Sequence, residues 1–184
     1  MKAPRLSSNR DEICYPYIYE TSRLCDYEIL TDDLCRQVGG ILALLPKELD
    51  SLRPELEQLQ PMLYHLNGSV RGRCAVSEED HQWLLGCYRA HKEATADRLD
   101  GFVLPSGPVP VPQLNRASSD AKRVLRLLLR LQVEEGIVVP EPLFRFGNLL
   151  CNYFFVLTLV VNKAHGVKEI PFISRSYGQA VTAE

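Results

Sequence analysis

The amino-acid sequence predicts an all-α protein, a bundle of five helices. Apolar residues recur at steps of three and four positions through most of the 184-residue chain, which is the period of one helix face. Proline and glycine interrupt this pattern at short connections, and the alternation typical of half-buried strands is nowhere convincing. Five periodic segments joined by short loops are the pattern of a helical bundle with a single core.

Length and composition are those of one soluble globular domain. The chain is 46% apolar and 24% charged, as in ordinary globular proteins. The formal net charge of −2 gives no reason to expect nucleic acid as a partner. Six cysteines form no C-x-x-C pair and follow no secretory signal, so we expect reduced thiols, a cytoplasmic location and no membrane association.

The helical pattern divides the chain into three parts. We predict a flexible N-terminal segment at residues 1–25, a single helical-bundle domain at residues 26–170 and a C-terminal tail at residues 171–184.

The first two predicted helices have leucine-rich faces. Helical periodicity begins at Tyr27 and is stopped by Pro46. The second helix begins near Leu49 or Pro54 and contains Pro61. Because proline removes a backbone donor and crowds the preceding turn, Pro61 predicts a kink.

The third helix has the clearest start signal. Ser77–Asp80 places a capping serine before three carboxylates, which the positive end of the helix dipole favours, and the pattern continues toward Leu99. An interruption follows at Leu104–Pro112, where four prolines in eight residues exclude a helix and favour an extended path.

The last two predicted helices are the longest. The fourth covers about Gln113–Glu135, and the fifth runs from Glu141 or Pro142 to His165. Within the fifth, Leu149–Val161 is apolar almost all round, yet thirteen residues are too few to span a bilayer. We therefore predict a central buried helix.

Charge is distributed unevenly along the chain. Residues 1–100 carry 17 acidic and 12 basic side chains, a balance of −5, whereas residues 101–184 carry 6 acidic and 9 basic, a balance of +3. On the fourth helix Lys122, Arg126 and Arg130 follow at four-residue steps and share a face. Such a stripe is typical either of a polyphosphate site or of a solvated face, and spacing leaves both interpretations open.

Two asparagines interrupt the apolar fifth helix. Asn148 and Asn152 lie four residues apart and therefore share a face. Because buried amides need hydrogen-bond partners, we expect them to face either a polar group of a neighbouring helix or a ligand.

Motifs for metal, phosphate-loop or nucleophilic chemistry are missing from the sequence. The motif Glu78-x-x-His81 occurs once, whereas a di-iron bundle needs two copies. The histidines and cysteines are scattered, and no glycine-rich phosphate loop is present. We predict no metal site built from side chains and no protein nucleophile.

One string carries a specific resemblance. Phe102–Gly107, FVLPSG, is followed by a cationic helix and then by a helix bearing Asn148. This arrangement resembles the PduO-type ATP:cob(I)alamin (corrinoid) adenosyltransferases, and the similarity spans roughly Tyr27 to Pro171. Three more segments are similar to family motifs and occur in the same order: Thr31–Leu34, Glu55–Gln60 and Arg145–Phe155.

The resemblance implies a fold and a reaction. The fold would be the five-helix bundle of the cobalamin adenosyltransferase-like (ferritin-like) type, assembled as a homotrimer with active sites between subunits. The reaction would transfer the 5′-deoxyadenosyl group of ATP to the cobalt of cob(I)alamin and release triphosphate, with Mg²⁺ as cofactor. Because the reduced cobalt is the nucleophile, the resemblance also accounts for the missing catalytic motifs.

The same resemblance assigns roles to individual residues. Lys122 and Arg126 are the catalytic candidates, because they would stabilise the departing triphosphate. The residues that would bind ATP or the corrinoid are Arg123, Asn148, Asn152 and Ser106.

The sequence departs from the family pattern at charged positions. The stretch nearest to the family's glycine-rich ATP loop, Ile18–Arg23, contains no glycine. On the fourth helix Ser118 and Leu125 stand where the family carries an arginine and a glutamate, and on the fifth helix Leu149 and Asn152 replace an arginine and an aspartate. Two functions stay open: a divergent adenosyltransferase, and a catalytically lapsed relative that binds a corrinoid or nucleotide or serves as an oligomeric interaction module.

Overall fold

The computed structural model describes residues 4–98 and 101–176, and five α-helices form its framework. The helices are α1 Arg23–Leu44, α2 Arg53–Gly68, α3 Glu78–Ala94, α4 Val111–Glu134 and α5 Glu141–Ala164. Short 3₁₀ turns lie at Arg10–Glu12 and Lys47–Leu52. The predicted all-α class and the number of helices are confirmed.

The helices pack in an order that differs from their order in the chain. α1 packs against α2 on one side and α4 on the other, while α5 packs against α4 and α3. α4 and α5 make the most extensive contact. The order of neighbours around the bundle is therefore α2, α1, α4, α5 and α3, and the cationic helix α4 lies between α1 and α5.

The fifth helix supplies much of the core. Fourteen of its 24 residues are buried, including Phe146, Tyr153 and Phe154. By length and composition α5 could cross a membrane, but 67% of its most apolar stretch is buried inside the bundle. The prediction of a central buried helix is confirmed, since other helices cover its apolar face.

The ends of the helices are decided by capping as much as by periodicity. α1 begins at Arg23 rather than Tyr27, because Ser22 caps it by accepting a hydrogen bond from the backbone N–H of Leu24 at 3.1 Å. Glu135, just after α4, accepts from the Ser22 hydroxyl at 2.6 Å and from the Arg23 N–H at 3.0 Å. The predicted boundary at residue 26 therefore falls inside α1.

The predicted features of α2 and α3 have different outcomes. Ser77 and Asp80 form a full capping box at the start of α3, as their spacing predicts. α3 ends at Ala94, earlier than expected, and Leu99 lies outside the described residues. Pro61 lies within α2, which continues on both sides of it, and the kink stays a prediction.

A short ribbon is present that periodicity did not predict. β1 (Val103–Leu104) pairs antiparallel with β2 (Ile170–Pro171), with Val103 opposite Pro171. Two-residue strands are too short to have a readable alternation. The ribbon joins the loop before α4 to the segment after α5. It spans the predicted boundary at residue 171, and residues 177–184 of the predicted tail lie outside the described part of the chain.

Candidate functional site

The basic stripe of α4 lines an open groove against α1. The groove has a volume of about 550 Å³. Its basic residues are Lys122, Arg123, Arg126 and Arg130, which α4 brings together at three- and four-residue steps. Asp26 of α1 is the acidic residue in its lining. The groove therefore has the charge and size to receive an anionic ligand.

Two of these cations lack counter-charges. Across the described residues, 4–98 and 101–176, neither Lys122 nor Arg126 makes a hydrogen bond or an ion pair, and both are exposed. Arg130 has a weak ion pair, since its Nε lies 3.9 Å from a carboxylate oxygen of Glu134. Neighbouring cations on one helix face repel each other unless solvent or an anion separates them. Lys122 and Arg126 are therefore the two cations of the groove whose charge is left entirely to a bound phosphate.

Arg123 is held differently, by a carboxylate that sequence reasoning missed. Asp120 on α4 is fully buried, and its Oδ1 accepts a hydrogen bond from Arg123 at 2.9 Å. Its Oδ2 accepts from Arg116 at 2.6 Å and from Gln37 of α1 at 2.9 Å. The spacing of an arginine four residues before and another three residues after Asp120 is a readable ion-pair signal.

Two positions where the family motif is charged pack against α5 in this chain. The Ser118 hydroxyl donates to the backbone carbonyl of Cys151 at 3.0 Å, and Ser118 is buried. Leu125 covers Gly147 so closely that a Cβ at Gly147 would lie 2.9 Å from its Cδ2 atom. These neutral residues serve the contact between α4 and α5 and add no charge to the groove.

The two asparagines of α5 are exposed, so the expectation of buried amides is wrong. Asn148 donates to the carbonyl of Phe144 in its own helix at 2.8 Å. Asn152 lines a separate groove of about 260 Å³ between α3 and α5, together with Tyr88 and Phe155. Periodicity could not distinguish these positions because the apolar residues of α5 extend almost all round the helix. Within one chain, neither asparagine lies in the lining of the basic groove.

Ser106 lies in the loop that precedes α4. Its carbonyl accepts a hydrogen bond from Asn162 of α5 at 3.1 Å, while its hydroxyl makes only a long contact of 3.4 Å with the Leu104 carbonyl. At Gly107 a Cβ would lie 2.1 Å from Oδ1 of Asn162, so the close packing of this loop requires glycine.

The loop and the basic groove are far apart in a single chain. Lys122 lies eleven residues beyond Val111, the first residue of α4, which is roughly 16 Å along a helix. The Phe102 side chain, before the same loop, is 78% exposed. The structure thus brings Lys122, Arg123 and Arg126 together and places Ser106, Asn148 and Asn152 on other surfaces.

Metal-binding capacity in the described part of the chain is limited. Residues 4–98 and 101–176 contain no group of three or more histidine, cysteine, aspartate or glutamate side chains able to hold an ion. A magnesium ion that arrives on ATP needs only one or two carboxylates, since phosphates and waters complete its shell. Asp26 in the groove fits that requirement.

Comparison with known proteins identifies the family. The family model described as cobalamin adenosyltransferase matches residues 30–161. The chain belongs to the cobalamin adenosyltransferase family. The match covers more than half of the chain and includes all the predicted site residues, and the family predicted from the FVLPSG string is confirmed.

Two relatives show how similar this chain is in sequence to other adenosyltransferases. It is 28% identical over 137 residues to the cobalamin adenosyltransferase of Cupriavidus metallidurans, covering 71% of each chain. It is also 28% identical over 148 residues to the corrinoid adenosyltransferase of Bacillus subtilis, covering 77% of this chain and 75% of the relative.

Solved structures of the family have the same fold. One variant of the PduO-type ATP:corrinoid adenosyltransferase from Lactobacillus reuteri, complexed with cobalamin and ATP, matches with a TM-score of 0.75 and 19% identity. That match covers 84% of this chain and 86% of the other. A second variant with the same ligands gives a TM-score of 0.76 over 85% of this chain and 90% of the other. At this identity the likeness establishes the fold.

Proposed function

We propose that this chain transfers the 5′-deoxyadenosyl group of ATP to the cobalt of cob(I)alamin, forming adenosylcobalamin. Membership of the cobalamin adenosyltransferase family makes it a transferase by class. The single observation that carries the proposal is the basic groove, in which Lys122 and Arg126 have no counter-charge among the described residues. A groove of this charge suits the triphosphate of ATP.

The reaction requires charge stabilisation more than it requires a protein nucleophile. Cobalt(I) attacks C5′ of ATP, the cobalt–carbon bond forms as the C5′–oxygen bond breaks, and the electron pair leaves with triphosphate. Negative charge therefore grows on the leaving oxygen. Cations already placed around the phosphates lower the energy of that transition state, because they need no reorganisation when the bond breaks. We assign this role to Lys122 and Arg126, with Arg123 binding the phosphates.

Magnesium would supply further neutralisation of the phosphates. Asp26 lies in the groove and would hold the ion together with phosphate oxygens, in keeping with the few protein ligands that this ion takes at phosphate sites. The side chains of this chain would then keep the triphosphate in one position against α4.

The remaining candidate residues lead to a proposal about assembly. Ser106, Asn148 and Asn152 are our candidates for binding ATP or the corrinoid, but within one chain they lie away from the basic groove. A homotrimer would let surfaces of neighbouring copies complete one site. A cytoplasmic location agrees with six cysteines that are all free.

A second function has its own support. Ser118 and Leu125 are neutral where the family motif is charged, and Arg123 is partly neutralised by Asp120. These features favour a catalytically lapsed relative that binds a corrinoid or a nucleotide, or acts as an oligomeric interaction module. The two functions differ in whether a cobalt–carbon bond forms.

The test is an anaerobic assay with Mg-ATP and chemically reduced cobalamin, followed by the absorbance of the cobalt centre. We expect formation of adenosylcobalamin by the unaltered protein. Lys122→Gln and Arg126→Gln should each lower kcat/KM for ATP by about 10- to 100-fold, because each removes a cation that opposes the growing charge.

Arg89→Gln is the matched control, since Arg89 is an exposed arginine on α3, away from the groove. It should leave kcat/KM unchanged. Tight cobalamin binding without adenosylation would support the lapsed relative. Failure to bind either ligand would overturn the transferase and the ligand-binding relative, and would leave the interaction module as the function.

A further inference from the structure

Asp120 is the acidic side chain of α4 that pairs with Arg123, a residue of the basic groove. It has an exposed fraction of 0%, and burying a carboxylate is costly unless it is paired and hydrogen-bonded. Three donors meet that cost: Arg123, Arg116 and the amide of Gln37. Both oxygens of Asp120 thus accept hydrogen bonds from its own chain. The buried carboxylate needs no ligand to balance its charge.

The two arginines bound by Asp120 are still accessible to a ligand. Their side chains are each 60% exposed. Arg123 uses its Nη1 atom and Arg116 its Nε atom toward the carboxylate. A guanidinium has five N–H donors in a rigid plane, so each arginine keeps donors that face away from Asp120. The buried carboxylate therefore restrains the guanidinium groups without using up their hydrogen-bonding capacity.

The two restrained arginines belong to two grooves on α4. Arg123 lines the basic groove, and Arg116 lines a smaller groove of about 260 Å³ together with Gln37 and Gln113. Asp120 lies between them in the sequence of α4, one turn from each arginine. A substitution at Asp120 should therefore affect ligand binding in the basic groove by releasing Arg123.

We propose that Asp120 is a positioning residue, which holds the Arg123 guanidinium in the orientation that binds the phosphates of ATP. The inference rests on the proposed function of the basic groove and adds a residue that never touches the ligand. An arginine fixed before the ligand arrives loses less freedom on binding than one that must find its orientation. Lys122 and Arg126, which have no such partner among the described residues, would bind as unrestrained cations.

A competing role for Asp120 predicts the opposite result. If Asp120 only neutralised the stripe, removing its charge would make the groove more positive and ATP binding tighter. If it positions Arg123, removing its charge should weaken ATP binding although the groove becomes more positive. The sign of the change in affinity therefore decides between positioning and neutralisation.

Asp120→Asn makes this test with little change in shape. The amide has one acceptor oxygen for three donors, and its NH₂ group would face an arginine. We expect the KM for ATP and the Kd for inorganic tripolyphosphate to rise about tenfold, the effect of losing one well-oriented charged hydrogen bond, with the KM for cobalamin unchanged. Asp32→Asn is the control, because Asp32 also pairs with an arginine one turn away, Arg36 on α1, at a more exposed position outside the basic groove.

Arg123→Lys provides a second variant that keeps the charge and leaves Asp120 a partner. A lysine cannot present a rigid fork to the carboxylate and the phosphates together, so the KM for ATP should again rise. In an Arg123→Gln background, Asp120→Asn should cause no further rise, since its effect acts through Arg123. Thermal unfolding of each variant, read in parallel, separates loss of fold from loss of binding.

The outcomes separate this inference from the proposed function. Unchanged or tighter ATP binding by folded Asp120→Asn would overturn the positioning role, and so would equal ATP affinity in Arg123→Lys. If the unaltered protein binds tripolyphosphate but forms no adenosylcobalamin, the proposed function fails while the test of Asp120 on tripolyphosphate still applies. If it binds neither ATP nor tripolyphosphate, both proposals fall.

Discussion

At the scale of single residues, Glu55 shows how a carboxylate can serve the fold. It lies on α2 and accepts hydrogen bonds from Nε2 of His91 on α3 at 2.8 Å and from the hydroxyl of Tyr153 on α5 at 3.0 Å. Burial opposes its ionisation, but these hydrogen bonds outweigh burial and lower its pKa. Burial, and then the charge of Glu55, raises the pKa of Cys87 to about 11, so that thiol is protonated at neutral pH. The cluster joins three helices.

The lowered pKa of Glu55 predicts acid sensitivity. A carboxyl whose folded pKa lies below its ordinary 4.5 contributes stability above that value and loses it as pH falls through the folded pKa. Glu55→Gln should lower the free energy of unfolding at pH 7 by about 1.5–3 kcal/mol, the range for hydrogen bonds to a charged group. It should also lose less stability than the unaltered protein as the pH falls from about 5 to about 3, because it has no carboxylate at position 55 to protonate.

Urea unfolding at a series of pH values, followed by the fluorescence of the single tryptophan, Trp83, measures this effect. Glu57→Gln, at an exposed position of the same helix, is the control and should follow the pH profile of the unaltered protein. Parallel profiles for Glu55→Gln and the unaltered protein would contradict the assignment.

At the scale of elements, Arg71 joins the end of α2 to the segment before α1. Its guanidinium pairs with Glu28 of α1 at 2.7 Å and with Glu20 at 2.7 Å, and it lies 3.7 Å from the ring centre of Tyr17. The Tyr15 hydroxyl donates to Glu28 at 2.7 Å. Part of the segment predicted to be flexible thus contacts the bundle. Flexibility for residues 4–12 stays a prediction, and residues 1–3 lie outside the described part of the chain.

Loss of Arg71 should be costly because it leaves a charge buried. The Glu28 side chain is only 5% exposed, and removing one partner of a buried pair typically costs about 3–5 kcal/mol. Since Arg71 is itself partly exposed, we expect Arg71→Ala to lower the free energy of unfolding by about 3 kcal/mol. Hydrogen exchange should also become faster in residues 15–20.

Arg73→Ala is the matched control, because Arg73 is exposed in the same loop, and it should change stability little. Adding Glu28→Gln to Arg71→Ala removes the unpaired charge and should recover part of the loss. Equal unfolding free energies for Arg71→Ala and Arg73→Ala would refute the role of Arg71 in fixing residues 15–20 to the bundle.

At the scale of the whole molecule, the single chain leaves apolar side chains in solvent. Phe102 and Ile173 lie at the β1–β2 ribbon, and Val133 and Val138 lie around the end of α4; all four are at least 70% exposed. Candidate binding residues are also distributed over separate surfaces of α4 and α5. Both features favour an assembly in which copies of the chain cover each other, as in closed symmetric oligomers.

We therefore expect sedimentation equilibrium to give a mass of about 62 kDa, three times the 20.8 kDa of one chain. The mass should hold over a dilution series that includes the concentration of the activity assay. A fully active protein that sediments at the mass of one chain would refute the homotrimer.

The features that follow local rules were predictable from sequence. Apolar periodicity predicted five helices and the buried role of α5, and Ser77 with Asp80 predicted the start of α3. The four-residue spacing of Lys122 and Arg126 likewise predicted a shared face. Each depends on residues within one or two turns of each other, which helix geometry alone relates. FVLPSG supplied the family, which periodicity does not identify.

Only the tertiary structure decided which side of each helix is covered, and by what. Asn148 and Asn152 share a face in any helix, but the positions of α3 and α4 around α5 leave them exposed. In the sequence Asp120 is one acidic residue among arginines. The fold buries it and places Gln37 of α1 within hydrogen-bond distance. By itself the sequence determined the helices, their polarity and the family; the surroundings of each charge required contacts between distant segments, because burial depends on what packs against a residue.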